Sequence, residues 1–455
     1  MRRSGWVLVV VAMASVAAGK PKVAQWFVAE LPATMHPLFV TTPTERAVDE
    51  LLQVRIFEPA AQGWRSRVVA DPVVLDRVVS LSVLPETRWS DGQPIVGADL
   101  CATVDRMLDR SHPTRWTAGT VARLESCRDD PAHPEVAAVT LTHAGVDARA
   151  ALALPLLPAH RPDWTSFAGG KLPSGMLPIG AGSHAMRVRG GVSEIVSSTG
   201  GLPLRFVVSE DPVAAFLADG PGRVEVGPAD LGRVRGVTGV TVDRVLPGTT
   251  WALFLDTSRP PFDDLATRAA FDAALDRTGL AEAWLGRDPS LDKQPWTLIS
   301  GPFPAGSRLA SRGVPVPTRH EGALGERKLE LDLVVPAGAA AFGAALQAAL
   351  PGTTVTTREL TAEQWAFSLL DGGHAGTSHA ALVRLDDEPC AYLHTRTETD
   401  GWANPFGFSD EGVDRACDAL RRGDPDAGPI LHGRAADAHP ASFLWTVEGR
   451  VAYRP

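Results

Sequence analysis

Alternation of apolar and polar positions gives the clearest structural signal in the chain. Apolar residues at 329, 331, 333 and 335 alternate with Glu330 and Asp332, the pattern of a half-buried strand. An alanine-rich segment, 339–350, predicts a helix, and the β-branched run 353–357 predicts a second strand. A strand, a helix and a strand in this order predict a parallel pair and an α/β fold.

The same patterns occur along most of the chain. Thr44, Asp264 and Asp410 stand where a side chain caps the first turn of a helix. Apolar runs or alternation predict strands at 23–28, 78–84, 136–141, 240–246, 249–255 and 443–453, and helical spacing predicts helices after residues 44, 98, 213, 265 and 410.

The segment from Thr87 to Met107 combines three of these features. A strand ends before it, Asp91-Gly92 strongly favours a tight turn, and apolar residues at helical spacing follow from Leu100. Asp99 stands in the first turn of that helix, where the helix dipole favours a carboxylate. The segment therefore predicts a strand, a tight corner and a helix, with Trp89 packed beneath the corner.

Composition and charge narrow the function classes. A chain of 455 residues with 44% hydrophobic and 21% charged residues predicts a globular protein of two or three compact units. The formal net charge of −9 argues against a nucleic-acid binder. A basic start and a short apolar run to Ala18 predict a secretory signal peptide, residues 1–19, and no cysteine follows it to carry a lipid anchor.

The four cysteines of an exported chain suggest disulfides. We expect Cys101 to pair with Cys127 and Cys390 with Cys417, because a modest loop separates the members of each pair. Four cysteines allow three connectivities, and zinc ligation is the alternative, although CxxC spacing is absent.

Catalytic motifs are missing from the sequence. It contains no nucleophile elbow, phosphate loop or HExxH helix, and we predict neither an enzyme nor a bound cofactor or metal. An enzyme would have to use scattered groups, such as His374 and His379 near Asp386 and Asp387.

The corner segment closely resembles the signature of the large family 5 extracytoplasmic solute-binding proteins of peptide and nickel ABC importers. The matching residues are Trp89, Asp91, Gly92, Pro94 and Asp99, while Val96-Gly97 replaces the usual Thr-Ala. Further resemblances follow in the family's order at His36-Pro37-Leu38, 155–160, 178–183, 249–257, Pro260-Pro261-Phe262-Asp263-Asp264 and 410–414.

The resemblance implies a two-lobed periplasmic-binding-protein-like fold of type II, with an extra subdomain in the first lobe. We expect residues 20–47, 155–255 and 432–455 in the core of lobe 1, 48–154 in the extra subdomain and 256–431 in lobe 2, with the crossing near residue 256. The implied function is capture of a small solute, most simply a short peptide, for an ABC permease and its ATPase subunits by a monomeric periplasmic or secreted protein. A nickel chelate, haem or a saccharide as ligand, or a sensory role without transport, remain alternatives.

The resemblance also indicates ligand-binding residues. Relatives carry an Asp before a Glu-Pro pair, and in peptide binders that Asp holds the amino terminus of the ligand. Here strict counting back from Pro389 places Leu385 at that position, and Asp386 fits only after a shift of one residue. The candidate ligand-binding residues are Arg384, Asp386, Asp387, Glu388, Trp251 and Trp402. Arg384 could also bind an anion, the acidic cluster could be a solvated turn, and the tryptophans could be core residues.

Overall fold

The computed structural model describes most of the chain after the predicted signal peptide. The described residues are 23–32, 35–40, 43–60, 63–112, 114, 116–121, 123–165, 177–189, 192–198, 203–218, 221–304, 307, 309–311, 313–336, 338–361, 364, 378–385, 389–394, 406–422, 424 and 426–454.

Helices and strands alternate along this part of the chain, as the sequence predicts for an α/β fold. The helices are α1 Pro43–Leu52, α2 Gly97–Leu108, α3 Thr117–Val121, α4 Ala148–Ala151, α5 Pro162–Thr165, α6 Pro212–Ala218, α7 Leu231–Val234, α8 Leu265–Ala274, α9 Arg277–Leu285, α10 Ala341–Ala349, α11 Cys390–Leu393, α12 Glu411–Arg421 and α13 Ala427–Ala438, with a 3₁₀ turn at Pro228–Asp230. The strands are β1 Ala24–Val28, β2 Glu58–Ala60, β3 Gly63–Arg65, β4 Val73–Leu75, β5 Val78–Ser82, β6 Leu124–Asp130, β7 His133–Leu141, β8 His184–Arg189, β9 Val192–Ser197, β10 Leu204–Val208, β11 Gly222–Glu225, β12 Thr241–Leu255, β13 Trp296–Leu298, β14 Leu329–Pro336, β15 Thr353–Leu360, β16 Ala380–Leu385 and β17 Ala441–Arg454.

Two long strands connect the two lobes of the molecule. The 11-stranded sheet has the order β15-β14-β16-β12-β17-β11-β1-β10-β9-β8, with β13 also paired to β17. Strand β11 pairs with the end of β17 from Val451, whereas β16 pairs with β12 from Thr250 onward. Strands β12 and β17 therefore belong to both halves of the sheet. The sequence predicts two strands where β12 is one, because Pro247-Gly248 reads as a break.

The position of the crossing follows from this pairing. The register of β12 against β17 shifts between Val245 and Thr249, opposite Glu448. Leu253 and Leu255 already pack with Phe271 and Phe342 in a core of the second lobe. The division of the chain into lobes stays a prediction, but this packing favours a crossing at 246–248 rather than near residue 256. We call residues 246–248 and Glu448 the lobe boundary.

Each lobe buries both faces of its half of the sheet. In the first lobe, β1 packs through Trp26 and Val28 against α1, and through Phe27 against α6. In the second lobe, α12 and α13 cover the face that carries Ala252 and Phe254, which places α13 and the start of β17 in this lobe. The predicted parallel pair is confirmed, because β14 and β15 run parallel over their full length.

The extra subdomain contains the predicted corner. Its sheet has the order β4-β5-β7-β6, and α2 packs through Leu100 and Val104 against it. Gly92 has a φ of +90°, and Trp89 is 2% exposed beneath the turn. The strand, corner and helix are therefore confirmed. His160 Nε2 lies 2.8 Å from the carboxylate of Asp91, beside the corner.

The cysteine pairing is also confirmed. Cys101 pairs with Cys127 and joins α2 to β6, and Cys390 pairs with Cys417 and joins α11 to α12. The two bridges close loops of similar length, with sequence separations of 26 and 27 residues.

Removing one bridge is expected to destabilise the protein substantially. In the chain-entropy model a loop of this length contributes about 3 kcal/mol, so Cys101→Ser/Cys127→Ser should lower the free energy of unfolding by about that amount. Urea unfolding of this variant and of Cys390→Ser/Cys417→Ser measures it, and the two losses should be similar. If dithiothreitol leaves the unfolding curve of the unmodified protein unchanged, the bridges do not contribute.

Candidate functional site

The lobe boundary is where the carboxyl ends of two sets of parallel strands meet. In the first lobe β1, β10 and β11 are parallel, and β11 runs toward the boundary because Gly222 pairs with Arg454 and Glu225 with Val451. In the second lobe β14, β15 and β16 are parallel, and β16 ends at Leu385 opposite Thr250. Ligands of open α/β sheets bind outside the carboxyl ends of strands, so both lobes direct their binding ends at the same crevice.

Only part of the predicted site lies within the described residues. Asp386, Asp387, Glu388 and Trp402 lie outside them. Arg384 and Trp251 are described, and they are direct register partners on β16 and β12. Both residues are partly buried next to the boundary. The structure therefore brings two of the six predicted residues together on one face of the sheet.

Trp251 also has a packing role. Its ring makes an edge contact with Trp284 of α9, with 5.1 Å between centroids, and its register partner on β17 is Trp445. A role for Trp251 in ligand binding stays a prediction, because this contact explains part of its burial.

Leu385 has a core position. It is 5% exposed and packs in the same cluster as Val383 and Phe254. A buried leucine side chain offers no acceptor to an amine, so the position obtained by strict counting supplies no side-chain anchor for the amino terminus of a peptide. Any amine anchor in this segment must come from the residues after Leu385.

Charged side chains lie beside the lobe boundary, on its first-lobe side. Glu448 of β17 lies 2.8 Å from Arg244 of β12 and also pairs with Arg450. The ion pair between Arg244 and Glu448 links the two crossing strands, and Arg244 and Arg450 are register partners on the first-lobe side of the register shift. Gly248 brings the strands close together, since an added Cβ would lie 2.8 Å from the Val447 carbonyl oxygen.

The first lobe also carries two charged residues, Arg223 and Glu225, near the carboxyl end of β11. The sequence analysis did not identify them. Arg223 and Glu225 alternate on β11, on the face that carries Trp26. The guanidinium carbon of Arg223 lies 4.0 Å from the centroid of the Trp26 ring, a cation–π contact. The sequence signal that could have identified them is two charged residues in the otherwise apolar segment 222–226.

A cavity of about 350 Å³ lies away from the boundary, in the second lobe. Its lining includes Asp272, Arg277 and Ala441. Ala441 begins β17, at the end of this strand remote from Glu448, so the cavity is separate from the boundary. Arg277 donates hydrogen bonds to Asp272 and to the Phe443 carbonyl, which leaves the buried charges mutually paired.

Metal-ligating side chains do not cluster in the described ranges. Within them, no group of three His, Cys, Asp or Glu residues could hold a metal ion. In the same ranges every helix is too short or too polar for a membrane span.

Comparison with solved structures identifies the fold. No family model matches the chain, and no curated protein sequence matches it significantly. The oligopeptide-binding protein AppA from Bacillus subtilis, solved with a nonapeptide, superposes with a TM-score of 0.71 at 14% identity, over 95% of this chain and 94% of that one. AgaA from A. tumefacien R10, solved with agropinic acid, gives a TM-score of 0.74 at 16% identity, over 95% and 93%. NikZ from Campylobacter jejuni, solved with Ni(L-His), gives 0.68 at 15% identity, over 95% and 94%.

This chain has the two-lobed fold of extracytoplasmic solute-binding proteins. The superposition covers nearly the whole length on both sides, so the fold includes the extra subdomain as well as the two lobes. The TM-scores establish the fold, and at identities of this size the ligand has to be argued from the site.

The buried side chain of His36 packs in the segment that follows β1. His36 stacks on Trp164, with 4.6 Å between centroids, and its Nε2 lies 2.9 Å from the Trp164 carbonyl oxygen. Burial lowers the pKa of His36 from 6.5 to about 4. The side chain is therefore neutral in the folded protein at neutral pH.

The lowered pKa predicts a loss of stability in mild acid. Between pH 6.5 and 4 the unfolded chain protonates His36 and the folded chain does not, so stability falls as the pH falls through this window. The full shift corresponds to about 3 kcal/mol. Urea unfolding at pH 7 and pH 4.5 should show a drop in the unmodified protein that is smaller by about 2 kcal/mol in His36→Asn. Equal drops in the two proteins would contradict the assignment.

Proposed function

We propose that this protein captures a small solute between its two lobes and delivers it to the permease of an ABC importer. The observation that carries the proposal is the lobe boundary, where the carboxyl ends of both sets of parallel strands converge. The fold supports it, since proteins that superpose over 95% of the chain were solved with a nonapeptide, agropinic acid and Ni(L-His).

Ligand binding in this proposal is coupled to closure of the lobes. Two strands cross between the lobes, and their register changes at residues 246–248, so rotation about this segment leaves the pairing within each lobe intact. Closure excludes water from the crevice and strengthens every polar contact with the solute. The closed state is then the form that the permease and its ATPase recognise.

We propose a short peptide as the first ligand to test. AppA from Bacillus subtilis was solved with a nonapeptide, and a dipeptide-binding protein from Pseudoalteromonas sp. SM9913 with Met-Leu. Asp386 is our candidate for the amine anchor, because Leu385 is buried in the core. Arg384 and Trp251 would line the second-lobe side of the crevice, and Asp387, Glu388 and Trp402 remain candidates in the same region.

Thermal unfolding of the mature protein tests this function. The panel contains mixed di- to pentapeptides, nickel with histidine, haem and neutral saccharides. A ligand at about 100 times its dissociation constant adds about 2.7 kcal/mol of stability, which raises the melting temperature measurably. A shift with peptides that disappears in Asp386→Ala supports peptide transport with amine anchoring. A shift with another member of the panel reassigns the ligand, and no shift with any member contradicts solute capture.

Export and transport partners belong to the same proposal. The amino-terminal segment 1–19 would direct the chain out of the cytoplasm and be removed there. A protein that binds a solute but does not stimulate the ATPase of its importer would instead be sensory. ATPase stimulation by the liganded protein, measured with the reconstituted importer, separates these two roles.

A further inference from the structure

The segment 286–295 connects the two lobes in addition to the two crossing strands. It follows α9 and precedes β13, and both of these elements pack in a core of the second lobe, through Trp284 and Trp296. Between them, Leu291 is 8% exposed and packs in the first-lobe cluster that contains Phe216 of α6. The chain therefore leaves the second lobe, inserts a side chain into the first and returns. We call residues 286–295 the strap.

Polar and close backbone contacts also fix the strap to the first lobe. The N–H of Gly232, in the first turn of α7, donates to the carboxylate of Asp288, a residue that is 5% exposed. Gly286 ends α9 and lies against Ala229, since an added Cβ would be 2.7 Å from the Ala229 Cβ. The strap therefore rests on the turn and helix that follow the carboxyl end of β11.

Hydrogen bonds within the strap make it a compact unit. The Asp288 N–H donates to Gln294 Oε1 at 3.0 Å, and Gln294 Nε2 donates to the Asp288 carbonyl oxygen at 2.8 Å. Ser290 donates from its backbone N–H at 2.9 Å and from its hydroxyl at 2.6 Å to the Asp288 carboxylate. Stretching the strap would break these bonds, so it resists deformation when the lobes move.

The carboxyl end of the strap is tied to the lobe boundary. The N–H of Glu448 donates to the Pro295 carbonyl oxygen at 2.8 Å, and Trp296 is the register partner of Val447. The strap thus extends from the boundary, where the lobes are joined by strands, to a second contact with the first lobe at α7.

This second contact changes how the lobes can move. Strands β12 and β17 are neighbours in one sheet, about 4.8 Å apart, and form a narrow ribbon between the lobes. A ribbon of two strands can both bend and twist. The strap reaches the first lobe on the face of the sheet that α6 covers, out of line with the ribbon. A contact away from the ribbon opposes twisting and leaves bending as the main motion.

We propose that Asp288 and Leu291 of the strap set the resting angle between the lobes and restrict their motion to closure. This inference rests on the proposed function and deepens it, because it concerns the motion through which the solute is captured. Both are positioning residues: they hold α7 of the first lobe against the second lobe, and their effect on the solute is indirect.

The expected effect on binding follows from populations. Lobes that adopt many relative orientations present a complete crevice in a smaller fraction of the molecules, and the apparent affinity falls by that fraction. The strap therefore increases the affinity for the solute by narrowing the range of orientations of the ligand-free protein.

The width of the distance distribution between the lobes tests the inference without a ligand. Spin labels are placed on Glu210→Cys/Thr361→Cys, exposed positions after β10 of the first lobe and β15 of the second. Pulsed electron paramagnetic resonance should show a broader distribution in Asp288→Ala/Leu291→Ala than in the otherwise unmodified protein. Gly232→Ala should broaden it as well, because the added Cβ displaces the Asp288 carboxylate while the strap keeps its sequence.

Two controls separate the strap from general effects of substitution. Leu265→Ala/Asp292→Ala changes the same residue types at exposed positions, one of them within the strap. Asp99→Ala removes a buried carboxylate from the extra subdomain and controls for loss of stability. Both controls should keep the distribution of the unmodified protein, and urea unfolding checks that every variant folds.

The outcomes distinguish this inference from the proposed function. An unchanged width in Asp288→Ala/Leu291→Ala, or an equal broadening in Asp99→Ala, would refute the role of the strap while solute capture stands. With a ligand that raises the melting temperature, the dissociation constant should rise about three- to tenfold in the strap variant, and an unchanged constant would also refute that role. If no solute of the panel binds, the proposed function fails, and the ligand-free width still decides whether the strap sets the lobe angle.

Discussion

Asp99→Ala is expected to lower the free energy of unfolding by about 3–5 kcal/mol, since it removes three hydrogen bonds to one buried carboxylate. Asp99 is 1% exposed and accepts from Trp89 Nε1 at 3.1 Å, from the Val96 backbone at 2.9 Å and from the Ala159 backbone at 2.7 Å. The carboxylate thus joins the corner, the start of α2 and the segment after Leu157. Its loss leaves the buried Trp89 Nε1 and two partly buried backbone N–H groups without this acceptor.

The matched control for this variant is on the same helix. Asp105 is exposed, and desolvation of its carboxyl group together with the nearby charge of Asp129 raises its pKa. Asp105→Ala should therefore change stability little, or increase it slightly. Urea unfolding of both variants measures the difference, and a loss below about 1 kcal/mol in Asp99→Ala would show that the corner is held by other contacts.

Arg277→Met is expected to destabilise the second lobe by a similar 3–5 kcal/mol, because it removes the arginine that pairs with the buried Asp272 carboxylate, which also lies 3.5 Å from His439. The two side chains are 3% and 4% exposed. Arg277 also donates from Nε to the Phe443 carbonyl at 2.9 Å, so it ties α8 and α9 to the start of β17. The loss comes from the uncompensated charge as well as from the missing hydrogen bonds.

A surface arginine provides the control. Arg319 lies 3.2 Å from Asp276, with 37% of its side chain exposed, and Arg319→Met should cost less than about 1 kcal/mol. The double variant Asp272→Asn/Arg277→Met should lose less than the sum of the single variants, because no charge remains unpaired. Equal losses in Arg277→Met and Arg319→Met, measured by urea unfolding, would contradict a special role for the buried pair.

The parts of the fold that depend on interactions between neighbouring residues could be predicted from the sequence. The corner at Asp91-Gly92, the Asp264 cap and the alternation in β14 each depend on neighbouring residues, and the structure confirms all three. Val96 stands where the family usually has a threonine, so it has no hydroxyl to cap α2. The Asp99 carboxylate instead accepts a hydrogen bond from the Val96 N–H at the start of the helix. Gly97 is required because an added Cβ would meet the Val136 carbonyl. Thr44 is the second residue of α1 rather than its cap, so the helix begins at Pro43, two residues earlier than predicted.

The pairing of strands that are distant in the sequence was harder to predict. Pro247-Gly248 looks like the end of a strand, yet β12 continues through it because β17 pairs with both sides. The position of Arg223 beside Trp26 could not be predicted from the sequence, because it depends on the pairing of β11 with β1. Arg384 and Trp251 are 133 positions apart in the sequence (384 − 251 = 133). Local sequence patterns do not predict contacts over such a separation, so only the resemblance placed both residues at one site.

Closure of the lobes on a ligand is the central claim, and a distance measurement across the boundary tests it most directly. Glu210 follows β10 of the first lobe, Thr361 follows β15 of the second, and both residues are exposed. Spin labels on Glu210→Cys/Thr361→Cys report the distance between the lobes by pulsed electron paramagnetic resonance. With a ligand that raises the melting temperature, the distribution should become shorter and narrower. An unchanged distribution at saturation would contradict capture by closure.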